Sequence, residues 1–209
     1  DYMIGASRFV MGVAGDSLPV IERRLIGRAG VCNAMCAGIM IQSWTYGLRA
    51  RRDPWPRFDM TSWNEHLAPA IAMSRGDTAS LRAAAHWLDA KSRTAVRATE
   101  GEDGTSVVAV EAFLALADTA NAFRAVSRML DSTLRVTSIR ARLPETDLAA
   151  GVLWPRAMLL RADLAAALKK RDEALLWYRR FLDLWAKADQ EFQGTVDRAR
   201  AAYAALGGR

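Results

Sequence analysis

The chain has 209 residues, 51% of them apolar, and its 29 Lys and Arg outnumber 23 Asp and Glu for a net charge of +6; this is a globular composition with ample material for a core. Alanine, leucine and arginine dominate, strand formers are sparse and there are only 6 prolines, so the residue preferences predict an all-α fold. The basic residues are dispersed among apolar ones, as in "RRLIGR" and "RAR", with no run of six and no interleaved aromatic platform, which argues against direct nucleic-acid recognition.

The chain begins at Asp1 without an initiator Met or a signal-peptide pattern, which points to a piece of a larger protein. Cys32 and Cys36, the only cysteines, have i, i+4 spacing. That spacing suits neither a disulfide nor a zinc or redox pair, so both read as small core residues. Residues 29–48 carry no charge and are flanked by Arg28 and Arg49. Asn33, Gln42, Ser43 and Thr45 dilute the stretch and both flanks are positive, which favours a buried helix over a membrane span. The loop "RRDPWPRFD" (51–59) sets Trp55 between Pro54 and Pro56, either plugging a joint or anchoring a partner.

Beyond it, Ser62 and Glu65 have capping-box spacing, with Pro69 bending or shortening the helix they open. An Asp-x-Ala motif then recurs at Asp77, Asp118 and Asp172, with Asp16 as a looser instance. Each follows one apolar-periodic stretch and precedes another, so each predicts a helix, a corner and a second helix, with the Asp capping the second. By the same reading, "RGD" at 75–77 is a corner rather than an adhesive loop, because Asp-Thr-Ala recurs at 118–120 without Arg-Gly before it. Loops are predicted at "TEGEDGT" (99–105) and "RARLPETD" (140–147). The resulting single domain, 1–209, has hairpins at about 1–50, 60–98, 105–140 and 147–187 and a capping helix at 189–206, where Phe192, Val196, Ala199, Tyr203 and Leu206 share a face.

Residues 153–206 carry a more specific likeness. The run "RDEALLWYRRFL" followed by "LWAKAD", with small Ala162, small Ala174 and aromatic Tyr178, resembles a tetratricopeptide repeat. It looks most like the last repeat, with its capping helix, of bacterial proteins that couple such arrays to a serine/threonine kinase or a DNA-binding domain. Lys169 stands where that family has its turn glycine, Ala165 where it has an aromatic and Ala186 where it has a closing proline. The resemblance implies a right-handed superhelical array of antiparallel helix hairpins, an α-solenoid, whose concave side binds a protein or peptide. In the last repeat that side would be lined by the first helix, at Arg156, Leu159 and Asp163.

Chemistry is harder to assemble. His66 and His86 are the only histidines, the "EGED" carboxylates lack the alternation of a calcium loop, and no phosphate loop, nucleophile elbow or metalloprotease motif is present. The expectation is therefore no enzyme, no metal and no cofactor. Most of the 7 tryptophans sit at apolar helical positions and read as core. The predicted role is an interaction scaffold or sensor module, cytoplasmic or on the periplasmic side of a membrane-anchored parent. The alternative is a small-molecule sensor with a pocket between hairpins, walled by 29–48.

Overall fold

A computed structural model describes residues 68, 69, 72, 73, 75–94, 102–135 and 144–208. The expected hairpin at 1–50, Cys32 and Cys36, the 29–48 stretch, Asp16, the Trp55 loop, the Ser62/Glu65 box and His66 lie outside the described residues. Among those described, the regular structure is all helix, with no strand. It comprises α1 (Thr78–Thr94), α2 (Glu102–Ala115), α3 (Thr119–Arg135), α4 (Pro144–Ala167), α5 (Arg171–Leu184), a 3-10 turn (Gln190–Phe192) and α6 (Gln193–Ala205). No described helix is long and apolar enough to cross a membrane.

One corner geometry joins helix to helix at three places. Gly76 takes φ +67°; its N–H donates to the Met73 carbonyl at 3.1 Å, and that of Asp77 to the Ala72 carbonyl at 2.9 Å. These nested bonds satisfy the last carbonyls of the preceding helix around one left-handed residue, a conformation glycine adopts without a Cβ clash. The same pair recurs where Ala117 and Asp118 donate to Leu114 and Phe113, and where Lys169 and Lys170 donate to Ala166 and Ala165. Ala117 (φ 56°) and Lys169 (φ 60°) are the non-glycine residues with positive φ among those described.

Counting from the residue after each left-handed position, the second helices α1, α3 and α5 bury the same steps. Leu81, Ala122 and Ala174 lie four residues on, Ala85, Val126 and Tyr178 eight, and Leu88, Met129 and Phe181 eleven; all nine are buried. Steps of four, eight and eleven form one helical face. The preceding helices answer with Ala72, Phe113 and Ala165, each four residues before the left-handed residue and each buried.

This register corrects the third predicted corner. The N-cap of α5 is Lys170, whose side chain makes no capping bond, and Asp172 sits in the first turn with its side chain 98% exposed. The chain reverses at Lys169 and the cap falls on Lys170, two residues ahead of where the Asp-x-Ala motif would put it, so Asp172 favours the helix start only through its charge. The two predicted loops also give way in part. The helix α2 already begins at Glu102, and α4 begins at Pro144, where a proline's missing N–H costs nothing.

The helices pack in chain order, each against the next. Packed against both α1 and α3, α2 buries all six residues from 108 to 113, Glu111 among them. That explains why its sequence shows no helical stripe. At the far end the 3-10 turn buries Phe192, and α6 buries Val196 and Ala199, leaves Asp197, Arg198 and Arg200 exposed, and is followed by Gly207 at φ +81°.

Candidate interaction surface

At the first two corners the capping carboxylates are engaged by the helices they open. The Ser80 amide donates to Asp77 Oδ1 at 3.0 Å, and the hydrogen bonding by Ser80 holds the Asp77 carboxyl below its ordinary range. Asp118 accepts from the Asn121 amide at 3.1 Å and from the Asn121 side chain at 2.6 Å. That side-chain bond, ahead of the backbone one, likewise lowers the Asp118 pKa. Each carboxylate satisfies an amide that the helix itself leaves without a partner.

Charged pairs tie α1 to α3, α2 to α4 and α4 to α6. Asp89 on α1 binds Arg128 on α3, with Arg93 on its other oxygen. Glu111 on α2 binds Arg156 on α4. Asp163 on α4 accepts from Arg198 on α6 at 3.2 Å and from the Tyr178 hydroxyl at 2.6 Å; burial, then this bond, raises the Tyr178 pKa. Arg161 on α4 reaches in two directions, to Glu173 on α5 through Nε and Nη2 (3.0 and 2.8 Å), and to Asp131 on α3 through Nη1 at 2.6 Å. Its guanidinium lies 4.3 Å from the Trp177 ring centroid.

These pairs overturn the outward placement expected of the first helix of the last hairpin. Leu159 is 5% exposed and belongs to the core. The Arg156 side chain is 12% exposed against a Glu111 side chain at 1%, and Asp163 is shared between α5 and α6. The reason is that α4 packs against both α3 and α5, so positions along it that local periodicity leaves outward are covered by neighbours. Trp55 lies outside the described residues.

Exposed apolar side chains appear instead on second helices. Leu176 and Leu184 on α5 are 47% and 54% exposed, and Trp87 on α1, expected in the core, is 43% exposed with the Lys91 ammonium 4.6 Å from its ring. Between the two leucines, at i+4 from one and i−4 from the other, stands the exposed Arg180, its guanidinium 4.6 Å from the Trp177 ring. The signal for these residues was available in "EALLWYRRFLDLW": once Ala174, Trp177, Tyr178 and Phe181 define the core face, Leu176 falls nearly opposite it. Glu111 carried a signal too, because an acid inside "VVAVEAFLALA" demands a cationic partner when buried.

His86 is exposed and meets the Phe113 ring edge-on, with centroids 5.3 Å apart. No group of His, Cys, Asp and Glu among the described residues could hold a metal ion. No protein-family model, curated protein or solved structure matches the chain.

Proposed function

We infer that the chain is a helical-repeat interaction module, tetratricopeptide-like in the broad sense, that binds a protein or peptide segment as part of a bacterial signalling or transcriptional regulator. The observation that carries the reading is the threefold corner, with its common buried register at four, eight and eleven residues. A unit of that kind, repeated and packed in chain order, is how solenoids build extended surfaces for other chains. The left-handed residues are 41 and 52 residues apart, longer than the roughly 34-residue tetratricopeptide period, so the repeats are long relatives in form rather than standard units. The resemblance of residues 153–206 supports the regulator context.

The test is selection of peptides from a displayed random library against the purified, folded chain, followed by titration of synthetic copies. Sequence-related peptides that bind at micromolar concentration and compete with one another support the module. A chain that selects no convergent peptide, but is stabilised against heat by a small metabolite, overturns it.

A further inference from the structure

The stripe Leu176, Arg180, Leu184 on α5 is made of residues four apart, which stand one above the other along a helix. All three are exposed, although the leucines contribute nothing to stability by facing water. The basic residue between them is the unusual part. Two charge pairs nearby are already made: the exposed Arg179 with Asp183 at 4.0 Å, and the half-buried Glu173 with Arg161 at 2.8 Å. Arg180 has no carboxylate partner among the described residues, and it lies against Trp177, whose indole is 2% exposed and fixed in the core. A guanidinium resting on a fixed ring has lost much of its freedom in advance, so engaging a carboxylate there costs less ordering. Lys187, one turn beyond Leu184 and also exposed, adds to the positive potential.

Resting on the interaction-module reading, we propose that this stripe docks an acidic amphipathic helix of a partner protein. The partner's apolar side chains would cover Leu176 and Leu184, and a carboxylate between them would meet Arg180. Helix-in-groove recognition uses apolar anchors at this spacing, and charge complementarity sets its register and partner choice. A second copy of the chain is a poor occupant. Two-fold pairing of the stripe would set Leu176 against Leu184 at both ends, but at its centre would bring Arg180 against Arg180, a like-charge contact.

The experiment is a fluorescence-anisotropy titration of the whole chain with three synthetic helical peptides. One is a leucine–glutamate amphipath, one its leucine–lysine counterpart, and one a scramble of the first. The acidic amphipath binds best, and less tightly as salt is raised. Leu176→Ser and Leu184→Ser each weaken it about tenfold. Arg180→Glu abolishes the preference for it and favours the lysine peptide, while circular dichroism and melting of each variant stay those of the parent. Equal binding of all three peptides overturns the proposal, as does indifference of the acidic peptide to the three substitutions. So does a chain that sediments as a dimer which Leu176→Ser disperses. Peptides from the random library that bind elsewhere, unaffected by the α5 variants, leave the module standing while removing this stripe from it.

Discussion

Glu111 on α2 is bound to Arg156 on α4, and neither side chain is more than 12% exposed, so the acid that interrupts the apolar run of one hairpin is neutralised by the next. A buried pair of this kind contributes little over an apolar pair of the same volume, but leaving one charge behind is expensive. Arg156→Ala is therefore expected to cost about 3–5 kcal/mol in urea unfolding. The double variant Glu111→Leu, Arg156→Met should recover most of that. A double variant as unstable as the single would show that the arginine acts through contacts other than the pair.

The second prediction concerns the left-handed positions. Ala117 and Lys169 hold φ 56° and 60° with side chains, a conformation costing an L-residue roughly 1–2 kcal/mol. Ala117→Gly and Lys169→Gly should each raise stability by about 1 kcal/mol. A Cβ on Gly76 would meet nothing within 4 Å, so Gly76→Ala should lower stability by a similar amount through the backbone alone. Thermal midpoints moving in the same direction for all three would contradict the common corner.

Much of this architecture was legible beforehand. The helical class, the corners at Asp77 and Asp118 and the apolar face of α6 follow from local rules, namely capping residues and 3.6-residue periodicity. The third corner was misplaced because Lys169 and Lys170 give no turn signal, whereas Asp172 imitates a cap two residues too late. The outward placement expected of Arg156 and Leu159 failed for a different reason. Whether a side chain on α4 meets solvent depends on what α3 and α5 cover, and Leu159 and Leu176 are the same residue type with opposite fates.

Capping carries a pH signature. The Asn121 bonds lower the Asp118 pKa from 3.8, so the folded chain holds this carboxylate charged to lower pH than the unfolded chain does. The stabilisation is complete above the unfolded value and disappears as pH falls through the lower, folded one. Asp118→Ala should cost about 1 kcal/mol at pH 7, and Asp118→Asn much less. Chemical unfolding at pH 7 and at about pH 2.5 should show the gap between parent and Asp118→Ala narrowing in acid; a constant gap would refute an ionised cap.

Tyr178 titrates in the opposite sense. Burial, then its bond to Asp163, raises the phenol pKa above 10, so its contribution is whole below the unfolded value and is lost as pH rises through the folded one. Absorbance of tyrosinate in alkali should resolve one tyrosine that ionises late, together with unfolding, and Tyr178→Phe should remove that component. The same variant should cost about 1 kcal/mol at neutral pH. A component that survives in Tyr178→Phe would assign the late ionisation to another tyrosine.

The packing of each helix against its chain neighbour also has a kinetic meaning. Contacts between consecutive segments close short loops, and chains built from them reach the native state sooner than those that must first join distant strands. During synthesis each helix of this chain can settle on the one before it as soon as it leaves the ribosome, without waiting for the C-terminus. Among the described helices the last to arrive is α6, whose Arg198 reaches back to Asp163 on α4.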